Sequence, residues 1–348
     1  MAISQLSLTD FRNLKSTTLD LDRRLNLVSG DNGSGKTSLL EAIYVLCQAQ
    51  SFRTHQLKQC IAHDKSGFLL FGRFEGYKAG IARYKEKLEI RINGETIKRR
   101  SELVKMSPIN IVNADSFVLI DGAPARRRSF LDWCLFHVEP DYAENWRLFQ
   151  HALKQRNRLL KRKQDLKLLD YWDQHLVTPS KELARMREHY TDKLQTLIKR
   201  KFQALLEGIP LSIDYRQGWT RGETLEQCLE QQREHDIRLG FTGAGIHRDD
   251  LELMTQGRKV GDVLSRGQSK RVCLVLLLAV LKLVNEARQS PVILLIDDLH
   301  SELDSTAQKL VYQKLFEMNI QLFISNIEPL VPDAIEAKEY KMFHVEHG

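Results

Sequence analysis

Apolar and polar residues alternate along three short runs near the start of the chain, ISQLSLTDF, STTLDLD and RLNLV, each bounded by polar or charged turns. A period of two is that of half-buried strands. GFLLFGRFE and LEIRINGETI repeat the pattern, and Asn93-Gly94 within the latter predicts a type I′ hairpin turn. Between about Arg126 and Leu206 the period becomes helical. Leu153, Leu159, Leu160, Leu166, Leu169, Trp172 and Leu176 recur at threes and fours, as in one long amphipathic helix. Pro179, flanked by Thr178 and Ser180, predicts a break. A second helix then carries Leu183, Met186, Tyr190, Leu194, Leu197 and Ile198, so the two form an antiparallel arm. Strand character returns at Pro210 to Tyr215 and near Asp249 to Met254. VCLVLLLAVL reads as a buried helix, and PVILLIDDL and IQLFISN as central parallel strands.

Between RLNLV and the helix of SLLEAIYVL lies the stretch Gly30, Asp31, Asn32, Gly33, Ser34, Gly35, Lys36, Thr37, Ser38. Gly30, Gly35, Lys36 and Thr37 fit the phosphate-loop spacing G-x-x-x-x-G-K-[ST] in the strand-to-helix context that the motif requires. Backbone without Cβ atoms can curl so that successive N–H groups point inward, and the helix adds its positive end. Lys36 is then the ligand of the β and γ phosphates, and Thr37 holds Mg²⁺ through its hydroxyl.

Far downstream, ILLIDDLHSELD ends an apolar strand in Asp297, placed to hold the Mg²⁺ shell as a Walker B residue. Asp298 follows as the candidate general base, and Ser301 to Asp304 read as a loop into the next helix. LSRGQSKRVCLVLLLA sets Ser265, Gly267 and Gln268 at the start of a helix. Two readings stand side by side there: a second anion-binding helix end, or a plain N-cap serine.

Bulk properties narrow the class. The 348 residues suffice for two domains, and 42% hydrophobic against 28% charged is an ordinary globular balance. The N-terminus has no basic stretch followed by an apolar one, and the longest apolar run is half of a bilayer span, so neither secretion nor a membrane span is expected. Five scattered cysteines without C-x-x-C argue against a disulfide framework and a zinc site, which fits a cytoplasmic protein. A net charge of +7 favours a polyanionic partner. Within Arg147 to Lys167 the bases Lys154, Arg156, Arg158, Lys161, Arg162 and Lys163 face a single acid, Asp165. With Lys199, Arg200 and Lys201 they are candidates for phosphate contact. No aromatic stacking platform is apparent beside them, so tight single-strand binding is not expected. Arg126 to Arg128 either meet DNA or anchor to acids, and the acids of HRDD fit a buried salt bridge at least as well as a ligand role.

The order of phosphate loop, LS-x-GQ and Walker B resembles ABC-type ATPases. With LTDFRNL, SFRTHQL, DGAPARRRSFLDW, LKQRNRLLK, HRDDLEL, LLIDDLHSELD and KMFHVEHG, the chain resembles, over nearly its whole length, the RecF family of the ABC/SMC-like DNA-maintenance ATPases. The resemblance implies an α/β fold: an ABC-type P-loop ATPase head, split and with a mixed sheet, plus an inserted α-helical arm. The expected division is 1–125 and 209–348 for the head and 126–208 for the basic arm. It implies nucleotide roles for Arg12 and Asn13, a γ-phosphate sensor in Ser325, and a Ser265 that completes the site of a second protomer. The implied activity is that of an ATP-dependent homodimeric clamp on double-stranded and gapped DNA in the nucleoid, acting with RecO and RecR to help load RecA. Arg266 replaces the usual Gln or Gly of the signature, GAGI stands before HRDD instead of Gly-Pro, and Asp298 stands where many ABC ATPases carry Glu. The shorter acid predicts slow hydrolysis. The competing readings are a transporter ATPase subunit and a low-turnover nucleotide-switched scaffold.

Overall fold

The computed structural model describes residues 2–288, 291–298, 305–327 and 340–346. The expected loop at Ser301 to Asp304 lies outside the described residues. The chain divides into two compact units, Met1–Ser116 with Val284–Gly348, and Phe117–Leu283.

The first unit begins with β1 (Ile3–Thr9), β2 (Thr17–Asp20), β3 (Leu25–Ser29), α1 (Lys36–Gln48), β4 (Gly67–Phe74), β5 (Tyr77–Tyr84), β6 (Leu88–Ile92), β7 (Glu95–Thr96), α2 (Arg100–Met106) and β8 (Ile109–Val112). An antiparallel sheet takes the order β2-β1-β4-β5-β6-β7. Its β6–β7 hairpin turns at Asn93 and Gly94, whose φ values of 51° and 89° are those of the expected type I′ turn. β5 escapes the sequence reading because Ala79, Gly80 and Ala82 carry little strand preference. Alternate burial of Tyr77, Ala79 and Ile81 and pairing with β4 on one side and β6 on the other make it a strand.

The second unit contains α3 (Pro124–Val138), α4 (Tyr142–Arg162), α5 (Leu169–Leu197), β9 (Leu211–Arg216), α6 (Leu225–Gln231), α7 (Arg233–Leu239), β10 (Asp250–Thr255), β11 (Arg258–Lys259), α8 (Val260–Val263) and the start of α9 (Arg266–Ala287). α4 and α5 form the expected antiparallel pair: Tyr142 meets Arg187, and Arg156 meets Asp173. The break between them falls elsewhere than expected. Lys163 and Asp165 take left-handed φ values of 54° and 52° and turn the chain there, while Pro179 lies inside the 29-residue α5. Pro179 forfeits one ladder bond, but it is buried, and its neighbour Ser180 donates its hydroxyl to the Leu176 carbonyl at 2.6 Å. Tertiary packing of a long helix overrides the local preference.

The sequence sets the arm at 126–208, whereas the contacts set this unit at 117–283, because the sheet β11-β10-β9 packs with the helices. Gln195 of α5 accepts the Ile213 N–H at 2.6 Å, Arg127 of α3 grips Asp250 at 2.8 and 2.9 Å, and Arg187 of α5 bonds Asp249 at 2.6 Å.

The chain returns to the first unit with β12 (Val292–Asp297), α10 (Ser305–Phe316), β13 (Ile320–Asn326) and β14 (Lys341–His344). They complete a parallel sheet of order β14-β3-β13-β12-β8, so the expected mixed sheet is realised as one antiparallel and one parallel sheet. Leu40, Ile43 and Leu46 of α1 share one core cluster with Leu70 and Ile81 of the first sheet and with Ile293, Leu295 and Phe323 of the second. α1 is thus held by both sheets, and the loop ahead of it is fixed at the carboxyl edge of the parallel sheet.

Candidate nucleotide site

Parallel pairing places Asp297 beside Ser325, and Ser325 beside Val28, at the carboxyl ends of β12, β13 and β3. Ligands of open parallel sheets bind at such an edge. Between β3 and α1 the loop turns on Gly30, Gly33 and Gly35, with φ values of 147°, 82° and 123°. At Gly30 the requirement is also one of space, since a Cβ would overlap the Val345 carbonyl oxygen. Val345 donates its N–H to the Ser29 carbonyl at 2.8 Å, and β14 runs beside β3, so the end of the chain braces the loop.

Lys36 donates from Nζ to the carbonyls of Gly30 (2.6 Å) and Asp31 (2.9 Å), which draws the ammonium over the loop. Thr37 donates from Oγ1 to both Asp297 oxygens, at 3.2 and 3.0 Å. Ser325 donates to Asp297 Oδ1 at 2.6 Å and accepts the Asp298 N–H at 3.3 Å. Asp298 itself sits in the left-handed region at φ 54°, a conformation uncommon for a residue with a Cβ. These side chains line a cavity of about 780 Å³ together with Asn13, Asn32, Gly33, Gly35 and Ser38. That size lies within the range of small-molecule clefts. Of the expected loop residues, Gly30, Asp31 and Ser34 are not part of the lining. Ser34 is buried, and its hydroxyl has no partner among the described residues.

Arg12 and Asn13 reach the same cavity, but their first duty is to the scaffold. Asn13 donates to the Gly33 and Ser34 carbonyls at 3.4 and 3.2 Å and accepts from the Ser38 hydroxyl at 2.9 Å. Arg12 grips Glu41 with two nitrogens, at 2.9 and 2.7 Å, and donates a third to the Gln59 carbonyl at 2.8 Å. Glu41 is the residue that the motif reading missed, because a carboxylate inside LLEAIYVL announces no partner. Burial alone would raise its pKa; hydrogen bonds from Arg12 and Ser51 and the charges of Arg12 and Arg53 outweigh that and hold it below 4.5. A lowered folded-state pKa stabilises above the unfolded value and is lost as pH falls through the folded one. The contribution is therefore intact at neutral pH, begins to fall near the unperturbed value of 4.5 and is lost as pH drops through the lowered folded value. Glu41→Gln should cost about 2 kcal/mol at pH 7 and should flatten the acid-side fall in melting temperature, measured from pH 7 to pH 3.5. A variant that falls as steeply as the parent would show that other carboxylates set the acid limit. Arg53, Ile61, His63, Asn326 and Ile327 also line the cavity; only Arg53, in SFRTHQL, and Asn326, at the end of IQLFISN, belong to stretches singled out by sequence.

At the start of α9, Ser265 and Gln268 form a reciprocal cap: Gln268 N–H donates to the Ser265 hydroxyl at 3.3 Å, and Ser265 N–H donates to the Gln268 side chain at 3.0 Å. Ser265, Gly267 and Gln268 are all exposed. The N-cap reading is realised, and the helix end is exposed. Of the arginine triplet, Arg127 is bound to Asp250 and Arg128 donates to the Asp249 carbonyl at 2.6 Å. The HRDD acids are thus partners of arginines, and the described residues contain no group of three or more His, Cys, Asp or Glu able to hold a metal.

On the arm, Lys154, Arg158, Lys161, Arg162 and Lys163 are exposed. Arg156 is a correction. It is fully buried, bound to Asp173 at 2.5 Å and Asp236 at 2.7 Å, and cannot meet DNA. Its spacing from Phe149, Ala152 and Leu160, at threes and fours, places it on the buried face of α4 and could have identified it. Lys199, Arg200 and Lys201 are exposed in a π-helical turn after α5, at the opposite end of the hairpin from Lys163 and roughly 40 Å of helix away.

The glycine loop at the edge of a parallel sheet, the Thr37–Asp297–Ser325 cluster and the helical second unit are the features of a nucleotide-binding head of the SMC-like class. The family model described as RecF/RecN/SMC N terminal domain matches residues 2–348. A protein of Shewanella denitrificans named DNA replication and repair protein RecF is 36% identical, with 100% of this chain and 98% of that protein covered; one of Shewanella halifaxensis with the same name is 37% identical, with 100% and 97% covered. The solved structure of the recombination mediator protein RecF with ATP, in the RecFOR pathway, superposes with a TM-score of 0.85 at 26% identity, over 100% of this chain and 96% of that one. An Smc head bound to the C-winged helix domain of ScpA shares the fold, with a TM-score of 0.61 at 14% identity over 99% and 94% of the two chains. The chain belongs to the RecF family within the RecF/RecN/SMC group.

Proposed function

We propose that this protein is an ATP-switched DNA clamp in recombinational repair and replication-fork maintenance. The observation that carries the reading is the convergence of Lys36, Thr37, Asp297 and Ser325 on one cavity at the carboxyl edge of the parallel sheet. Lys36 and the loop N–H groups bind the phosphates of ATP. Thr37 and Asp297, a hydroxyl and a carboxylate already in contact, suit Mg²⁺, which takes few protein ligands and completes its shell with water and phosphate oxygens. Bound there, Mg²⁺ would neutralise charge on the β and γ phosphates. Asp298 orients the attacking water, Ser325 senses the γ-phosphate, and the short Asp298 side chain keeps hydrolysis slow.

The exposed Ser265 helix end supports a head-to-tail homodimer in which Ser265 of one copy meets the nucleotide held by Lys36 of the other. Exposed Lys154, Arg158, Lys161, Arg162 and Lys163 supply sequence-independent contacts to duplex DNA. Lys199, Arg200 and Lys201 form a second contact group. ATP closes the clamp beside a gap, and hydrolysis releases it. RecO and RecR are the partners, and loading of RecA is the outcome, as the RecFOR pathway named for the similar solved structure supports.

The test is binding to a labelled gapped duplex with and without ATP across a salt series. Tighter binding with ATP is expected, and Lys154→Ala with Arg158→Ala should lower the salt slope by about two. Equal binding with and without nucleotide would overturn the switch. Turnover that stays negligible with DNA present would favour the scaffold reading.

A further inference from the structure

The turn at Lys163 to Leu168 brings residues distant in sequence onto the outer side of the arm. His151 lies on the exposed face of α4 among Arg147, Lys154 and Arg158, and its ring meets Trp172 of α5 at 5.4 Å. Trp172 meets Tyr171 edge to face at 5.1 Å, and Tyr171 rests against His175 at 4.1 Å with the planes tilted by 34°. Four rings thus adjoin one another at the edge of the basic stripe. Tyr171, Trp172 and His175 lie within a five-residue stretch of α5, and the turn adds His151 from α4 to them.

Two features set this patch apart from an ordinary core edge. It is uncovered: Tyr171 is 51% exposed, and His151 and His175 are exposed. It is also held in place, since His175 Nδ1 lies 2.8 Å from the Tyr171 carbonyl one turn earlier, and Nδ1–H donates to that oxygen. The neighbouring acids are already engaged, Asp170 and Asp173 by Arg233 and Glu144 by Arg147. Lys154 and Arg158, exposed on the same face of α4, remain to act on an incoming ligand.

We infer that Tyr171 and His175, beside Trp172 and His151, form a stacking platform for unpaired bases of DNA whose phosphates lie along Lys154 and Arg158. Flat, exposed rings beside a basic track match an unstacked nucleotide strand, because each base offers a π-face and each phosphate a charge. A blunt duplex hides its bases within the stack and gains only the charge contacts. The inference rests on the proposed DNA clamp and adds a preference: the arm distinguishes a single-stranded segment from continuous duplex.

The test uses the full chain with ATP and two labelled ligands, a blunt duplex and the same duplex with an oligo(dT) tail. Tyr171→Ala should weaken binding of the tailed duplex about tenfold, in line with loss of a base–aromatic stack, and should leave the blunt duplex within twofold. Tyr171→Phe, which keeps the ring, should match the parent on both. Unchanged affinity of Tyr171→Ala for the tailed duplex would overturn the platform and assign the patch to a protein partner; equal losses on both ligands would overturn it as well. Failure of the underlying reading has its own signature, since Lys154→Ala with Arg158→Ala would then leave blunt-duplex binding intact.

Discussion

Lys36→Ala is expected to lower ATP affinity about a hundredfold or more and to erase the nucleotide dependence of DNA binding. The lysine reaches the loop carbonyls of Gly30 and Asp31, so its ammonium lies where phosphate oxygens would be cradled. Two charge-assisted hydrogen bonds to phosphate, each of about 1.5–3 kcal/mol, amount to two or more decades of affinity. The loop itself should survive, because its shape is set by the positive φ angles of Gly30, Gly33 and Gly35 and by the Val345 brace. A thermal melt separates the two effects. Without nucleotide, parent and variant should melt together within a few degrees. With ATP at a hundred times the parent's Kd, the parent gains about 2.7 kcal/mol, whereas the variant gains almost nothing. A variant that still shows the full ATP-induced rise would remove Lys36 from phosphate binding.

What the sequence disclosed depends on how local the determining interaction is. The phosphate loop needs only its own glycines and the strand and helix that flank it, so Gly30 to Ser38 could be read directly. Asp297 could be read as well, since it ends a continuous apolar strand, whereas Ser325 came only through the family resemblance, and parallel register is what sets it beside Asp297. Glu41 could not: its environment comes from Arg12, Ser51, Arg53 and Cys60, none of them on its helix. The arm shows both outcomes. Amphipathic spacing identified two helices, but Pro179 is a weaker breaker in a buried helix than Lys163 and Asp165 are at an exposed turn. Counting Arg156 among the free bases treated charge as composition, where its position on the 3.6-residue period assigns it to the interior.

The second large effect concerns that interior. Arg187→Met should destabilise the protein by about 3–5 kcal/mol, as removal of one partner from a buried ion pair does. Arg187 is fully buried. It bonds Asp249 at 2.6 Å and Asp132 at 2.5 Å, donates to the Ile246 carbonyl at 3.1 Å, and lies 3.3 Å from the Tyr142 hydroxyl. Methionine fills much of the volume but leaves carboxylates facing an apolar neighbour. Among the described residues, the Asp249 carboxylate then keeps the Tyr215 hydroxyl at 2.6 Å. Replacing that acid too removes the stranded charge, so Arg187→Met with Asp249→Asn should cost less than the two single losses added together. Thermal melting of the three variants measures both numbers. Because Asp249 and Asp250 answer to Arg187 and Arg127, the HRDD stretch acts as a joint between α3, α5 and β10. That role predicts that added Mg²⁺ will not restore the Arg187→Met loss. Restoration by the ion would make these acids ligands instead.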